Sequence, residues 1–551
     1  MFINFIFLLV AVGFLSLLLP AKRMKTFWSL AVICIMGYSI FSILSPYPGN
    51  AISFVWQAIP NLPVSIELNP WQSGVYGILG VLILHTIAIY YNTISQQEQN
   101  PNIISGLLLF NCVFMITAFC SINYIQLLAA VGMADVVVYG MINDLNAKRY
   151  YIYGNFIADF VLLNILAIIL GQQGKVDITH LEEYTKSWHH RDFIAIMLLA
   201  AIFIKSGLAF FHVTYQKIAS LSFNRLNFIL FASTPLIGLI SLLLLNNILT
   251  ISRYSESLIK IFSCLSIVWG FSGYISSDSL KRKASYNAML LWGLVYAGYV
   301  WLPNFPLNKF FVLLTSAYLF NVSLNIISKD SGDETYISKI AGNICHSKML
   351  FLIYFAAICL YCINWLIFSK DNTVLSLSGL LLIMLITSQT ISEIYLNQGS
   401  QQSSISSGRL FFISLPVLSF LVAFILHNDH LTITYAYFIG IIITWLLLFL
   451  IFPLQCFGKA HNISFIQSGD VTTAIYSGMI LHPIQAIGRS LRIAIDFLLV
   501  ERTIISSIKN SILFFIFTFK SLHNDKIWGK ILLIIFGIVL FAATYYKGVA
   551  K

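Results

Sequence analysis

Charge is what this sequence has least of. Only 10% of its 551 residues are Asp, Glu, Lys or Arg, while 58% are hydrophobic and the mean hydropathy is +0.85. An ordinary soluble domain carries about 25% charged residues, so the composition excludes a soluble enzyme and leaves a polytopic membrane protein. Cysteine is also sparse. There are eight, and Cys359 and Cys362 share a C-x-x-C spacing with no second pair to complete a metal site. They read as small hydrophobes within apolar spans, and no set suits an iron–sulfur cluster. No Gly-x-x-x-x-Gly-Lys cradle and no Rossmann glycine pattern is present, so no nucleotide site and no cofactor are expected on this chain. The net charge of +11 comes from lysines and arginines in short loops. That is the positive-inside bias of a membrane protein, with the lipid bilayer and not nucleic acid as its partner.

What is present is a long series of apolar runs. About sixteen are long enough to span a bilayer, from Phe2–Leu19 to Ile527–Tyr546. The expected fold class is therefore an all-α polytopic membrane protein. The first run lacks a basic stretch before it and is followed by Lys22, Arg23 and Lys25, so it reads as a retained helix, not a cleaved signal. Basic residues gather in alternate loops: Lys148 and Arg149, Lys281 to Lys283, then Lys329, Lys339 and Lys348. Those loops are expected in the cytoplasm and both termini outside, in a bacterial inner membrane, although Lys175, Lys186 and Arg191 break the alternation. Between Ile484 and Lys520, charged residues such as Arg492, Asp496 and Glu501 interleave with apolar ones. This segment reads as a helix lying along the membrane surface.

A few charges sit inside the apolar runs, where each costs several kcal/mol, roughly 3 on lenient scales. Lys205 lies near the middle of one, and Asp135, Asp159, Lys370, Asp371 and Glu393 repeat the choice. Such residues normally face a polar or wet interior, which points to ion handling. Each has a plainer reading. Lys205 could cap a helix end, Asp159 could anchor the Lys148–Arg149 loop, and Lys370 with Asp371 could form a self-neutralising pair near a surface. Lys281, Arg282 and Lys283 read as topology determinants.

Four stretches resemble one family. Asn155-Phe-Ile-Ala-Asp159 resembles the sixth-helix segment of the antiporter-like L chain of respiratory complex I, and Lys205-Ser206-Gly207 its seventh-helix Gly-Lys-Ser-Ala. Asp278 to Tyr286, with Gly293 beyond, is similar to the block before its tenth helix. Phe368-Ser369-Lys370-Asp371, followed by Thr387-Ser388, is similar to its twelfth and thirteenth helices. The tail, from Arg492 to Arg502 and Ile527 to Tyr546, resembles that chain's lateral helix and its anchor. The resemblance implies two inverted five-helix repeats, each with a helix broken near the membrane centre. It divides the chain into a three-helix segment (1–102), two repeats (103–245 and 257–396), two further helices (410–452), the surface helix (484–520) and its anchor (527–546). It implies a membrane-arm subunit of a proton-translocating NADH:quinone oxidoreductase, with other membrane subunits as partners and no redox chemistry on this chain. Lys205, Lys370, Asp371, Asp159 and Asp135 would be its proton-path residues. The same fold also serves multisubunit sodium/proton antiporters, inorganic-carbon uptake systems and non-pumping structural paralogues.

The sequence departs from the family at several path positions. Ala129 takes the place of the fifth-helix glutamate that pairs with the lysine. Asp135 lies six residues on, roughly 600° around a helix and so on another face. Leu230 stands for an eighth-helix histidine, Val312, Ser316 and Phe320 for titratable residues of the eleventh, and Glu393 for an arginine. Apolar residues there remove stations for a proton.

Overall fold

The computed structural model describes residues 2–18, 52–59, 62–68, 74–94, 101–173, 178, 191–250, 252–277, 279–302, 305–330, 348–369 and 372–395. The chain divides into two compact units, Met1–Leu491 and Arg492–Lys551, and everything described lies in the first. The run at 27–44, both halves of the Lys370–Asp371 pair and all segments beyond 395 fall outside the described residues, including the 410–452, 484–520 and 527–546 segments.

The apolar runs fold as helices. In order these are α1 (Phe2–Leu18), α2 (Gly74–Ile94), α3 (Pro101–Phe119), α4 (Tyr124–Met141), α5 (Leu145–Gln173), α6 (Arg191–Ser206), α7 (Val213–Ile218), α8 (Phe223–Ala232), α9 (Thr234–Leu244), α10 (Asn246–Thr250), α11 (Ser255–Ile275), α12 (Leu280–Trp301), α13 (Leu307–Asp330), α14 (Lys348–Ser369) and α15 (Thr373–Tyr395). Among the described residues, six helical segments are long and apolar enough to cross a membrane, counting α8 and α9 together. One element departs from the expected all-α fold. β1 (Ile52–Ile59) and β2 (Leu62–Leu68) pair antiparallel, with Ile52 opposite Leu68 and Ile59 opposite Leu62.

The helices carry apolar side chains on both their inner and outer surfaces. Phe156, Phe160 and Leu163 on α5, and Val136 on α4, are exposed, as suits a surface solvated by lipid. The interior holds the polar residues. Asn111, Lys205, Asn227, Ser233, Thr234, Lys283, Asn287 and Asn321 are all buried. Helices with apolar residues all round bury whichever face carries the polar groups, because lipid cannot hydrogen-bond them.

Two helices break. α6 ends at Ser206 because Gly207 adopts φ +62°, the left-handed conformation glycine tolerates. Leu208 N–H bonds Phe203 C=O and Gly207 N–H bonds Ile204 C=O, both at 3.2 Å, which is the Schellman pattern of a helix stop. The second break lies in the run Phe223–Leu245, which the sequence reading left as one span. At Ser233 the backbone turns (φ −127°, ψ −107°), and α9 restarts with Pro235 in its first turn. Proline has no N–H to give and tolerates only that position in a helix.

Candidate functional site: a buried lysine between two carboxylates

Lys205 sits on the last turn of α6, one residue before Ser206 and Gly207. The negative end of a helix dipole suits a cation there. Its side chain is 1% exposed. The Nζ is ion-paired with Asp135 of α4, and it lies 2.7 Å from Asp159 of α5. The Asp135 side chain is 8% exposed and that of Asp159 28%. Two of the three helices that supply the cluster, α4 and α5, also pack on each other, and α5 packs on α6.

Further polar groups hold Asp135 and the end of α6. Tyr151 of α5 donates its hydroxyl to Asp135 Oδ1 at 2.8 Å, and shares a 2.9 Å bond with Thr234 Oγ1 just after the α8–α9 break. Tyr215 of α7 donates to the Lys205 carbonyl at 2.5 Å, capping a group the helix end leaves open. Gly207 allows this, since a Cβ there would run into the Tyr215 ring. Ser206 Oγ bonds the hydroxyl of Tyr296 on α12, and Ala209 N–H reaches Ser266 Oγ on α11 at 2.8 Å. Gly238 lets α9 close on α6, because a Cβ there would meet Ser206 Oγ; close approach through small residues is the usual membrane packing device. The backbone groups freed by the break are thus met by protein groups, as an irregular segment in a membrane requires.

The second break has its own compensation. Ending α8 at Ala232 releases the Leu230 carbonyl, and Trp292 of α12 donates its indole N–H to it at 2.9 Å. Ser233 also accepts from Asn111 of α3 at 3.2 Å, and Asn111 reaches His85 of α2 at 3.1 Å.

The structure brings Lys205, Asp135 and Asp159 together. It leaves Ala129 exposed on the other side of α4, so the carboxylate that meets the lysine comes from the face six residues along. Val312 is exposed, whereas Leu230, Ser316 and Phe320 are buried. Lys283, read from sequence as a loop lysine, is instead buried in the first turn of α12. Its ammonium lies 3.2 Å from the Tyr274 carbonyl and 4.7 Å from the centre of that ring. A lysine closing a neighbouring helix end in this way is a known capping device. Sequence reasoning passed over Tyr151, Tyr215, Tyr296, Thr234, Asn111 and His85. The Ser233-Thr234-Pro235 string was the one local signal for the second break. Among the described residues, no group of three or more His, Cys, Asp or Glu side chains is set to hold a metal.

Residues 125–392 match the family described as NADH:quinone oxidoreductase/Mrp antiporter, transmembrane region. NADH-quinone oxidoreductase subunit N of Rickettsia typhi is 26% identical over 310 residues, which cover 52% of this chain and 63% of that protein. The Rickettsia bellii subunit N is 28% identical over 236 residues, 40% of this chain and 46% of that one. The chain therefore spans less than two thirds of the length of these curated relatives. They carry the letter N, so they lend no support to the letter L; the tail that suggested L lies outside the described residues. The fold is similar to a chain of the Mrp complex from Dietzia sp. DQ12-45-1b, with TM-score 0.61 and 12% identity over 99% of this chain and 63% of that one. It is also similar to a chain of the membrane-bound sulfane sulfur reductase, an archaeal respiratory membrane complex, with TM-score 0.56 and 11% identity over 79% of this chain and 96% of that one. Both of those structures are membrane assemblies. Residues 125–392, which hold both broken helices and the lysine cluster, are thus the part of this membrane protein that is similar to the complex I and Mrp antiporter subunits.

Proposed function

We propose that this chain is a membrane-arm subunit of a proton-translocating NADH:quinone oxidoreductase, and that the Asp135–Lys205–Asp159 cluster carries or gates the proton. One observation supports this above the rest: a lysine 1% exposed, at the end of an interrupted helix, held by two carboxylates from two other helices. Coulomb attraction in a poorly solvated interior holds the ammonium to both partners. Protonating either carboxylate, or drawing it away, removes that hold and frees the ammonium to give up its proton. The helix break supplies the movable part, because a segment ended by Gly207 can shift without bending a continuous helix. Redox energy would come from other subunits, and this chain would do no electron or nucleotide chemistry of its own.

The wider arrangement belongs to the same proposal. It comprises about sixteen spans in two inverted repeats, a second-half counterpart at Lys370 and Asp371, neighbouring membrane subunits on either side, and an inner-membrane setting with both termini outside. The test uses the assembled complex in liposomes with Lys205→Ala. Loss of proton uptake per NADH oxidised is expected; unchanged uptake would overturn the reading. The fold likeness to the Mrp complex chain supports a second reading, an ion-coupling subunit of an antiporter assembly. Transport that depends on sodium and proceeds without NADH separates the two.

A further inference from the structure

His85 is fully buried in α2, and the mechanism above gives it no part. Its two ring nitrogens have partners of a particular kind. Nδ1 lies 2.8 Å from the Val81 carbonyl, which can only accept, so Nδ1 carries a proton. Nε2 lies 3.1 Å from one end of the Asn111 side-chain amide. The other end of that amide lies 3.3 Å from the Ala134 carbonyl and 3.2 Å from Ser233 Oγ. The Ala134 carbonyl also only accepts, so the amide NH2 faces it and the amide oxygen faces His85. With the amide in that orientation, Nε2 donates to its oxygen and carries a proton as well. Both bonds together select the doubly protonated ring; a neutral ring keeps only one of them.

A buried cation needs compensation. Two carboxylates against one ammonium leave the Lys205 cluster with one negative charge in excess when both are ionised. Asn111 bonds the carbonyl of Ala134, the residue before Asp135, so a single side chain links His85 to the backbone next to the cluster. A second link runs from Asn111 through Ser233 to the helix break, where Thr234 meets Tyr151 and Tyr151 meets Asp135. Other charged groups on the helices packed against α2 stand near helix ends: Arg225 on α8, and Lys309, Lys329 and Asp330 on α13. The titratable neutral side chains on those helices include Cys112 on α3 and Tyr318 on α13, with Tyr76, Tyr90 and Tyr91 on α2 itself. The face of His85 not used for bonding meets the Phe228 ring edge-on at 5.1 Å.

We propose that His85 is a second proton-holding group of this site, an imidazolium that balances the excess charge of the Asp135–Lys205–Asp159 cluster. Losing its proton releases one end of Asn111, and with it one tether of the α8–α9 break. When a proton reaches a cluster carboxylate, the excess charge vanishes and His85 is freed to discharge. As a step in ion movement this rests on the proton-carrying reading above, but its test does not.

The assembled complex is prepared with ring nitrogen-15 histidine in this chain, and the signal of His85 is assigned by subtracting the spectrum of His85→Gln. Should that variant fail to assemble, Phe228→Leu moves the same signal by removing the adjacent ring. At neutral pH the wild type should show two protonated ring nitrogens, and Asp135→Asn should convert His85 to one protonated and one bare nitrogen. A neutral ring in the wild type would overturn the proposal. An imidazolium that persists unchanged in Asp135→Asn would overturn its role as counter-charge. Neither result depends on transport, so a failure of Lys205→Ala to alter proton uptake would count against the function and leave the state of His85 standing.

Discussion

Removing Asp135 is the sharpest probe of the cluster. Asp135→Ala leaves Lys205 with Asp159 alone, 2.7 Å away, and strips Tyr151 of its acceptor. Breaking a buried ion pair from one side costs about 3–5 kcal/mol. The remaining carboxylate still holds the ammonium, so the lower end, about 3 kcal/mol, applies. Large domains lose roughly 2–4 °C in unfolding temperature per kcal/mol. At about 2 °C per kcal/mol the loss is on the order of 6 °C, readable by thermal unfolding of the detergent-solubilised complex. Asp159→Ala should cost less, because 28% of that side chain is exposed and solvent or lipid headgroup water screens it. The double variant Asp135→Ala with Lys205→Met removes both the ammonium and its closest partner. Replacing a whole buried pair by neutral groups is often close to neutral, so stability should return to within about 1 kcal/mol of wild type while proton uptake stays lost. A brace and a carrier are thereby separated, since a brace recovers with stability. If Asp135→Ala costs no more than about 0.5 kcal/mol, the level of an ordinary surface change, the pair does not hold a charge in the interior and the reasoning fails.

Three further outcomes follow from the same geometry. Gly207→Ala must place a Cβ at φ +62° against the Tyr215 ring; the conformation alone costs about 1–2 kcal/mol, and the steric overlap adds to it, so the variant should show a lower unfolding temperature and reduced proton uptake together. Trp292→Phe leaves the Leu230 carbonyl without its donor, a loss of about 1–3 kcal/mol for a buried acceptor, measurable in the same melt. Asp144, at the start of α5, accepts from Ser220 Oγ at 2.9 Å and from Asn146 N–H at 3.0 Å. Those bonds hold its carboxyl below the usual aspartate range. A depressed value stabilises the fold above the ordinary aspartate titration and loses that contribution as pH falls through the lower folded value. The group is exposed, so Asp144→Asn should change the acid limb of the stability curve only slightly and leave the neutral limb alone.

The helices were legible because period and length are local. A run such as Tyr124–Ile142 is apolar over the distance a bilayer requires, and it folds as Tyr124–Met141. The lysine was legible because a charge in such a run is costly wherever it points. Its surroundings were not. Tyr151 and Thr234 lie 83 residues apart, Asn111 and Ser233 122 apart, and no local pattern couples them. A histidine in an apolar run looks the same whether it packs quietly or carries a charge, and only the acceptors facing both nitrogens tell the two apart. The β1–β2 ribbon was missed for another reason: alternation over seven or eight residues next to long apolar helices reads as loop unless its pairing is seen.

The position of Asp135 changes what the family departures mean. Ala129 at the expected glutamate site looks like the loss of the lysine's partner. On α4, however, Ala129 faces outward and Asp135 faces Lys205. Asp135 brings a carboxylate to the lysine from another face of the helix. Leu230 tells the opposite story. No titratable side chain stands there; its freed carbonyl is occupied by Trp292, and hydroxyls of Ser233 and Thr234 line the adjacent break. A purely structural chain would have little use for the first arrangement. Two carboxylates and an ammonium in the interior often stabilise no more than well-packed hydrophobic residues of the same volume, and it is on this costly charge that the proposed function rests. Under the proposed function, the route from Lys205 onward would run along hydroxyls and amides. Such groups can orient water and pass protons along it without holding them, which under that reading leaves storage to the lysine cluster and His85.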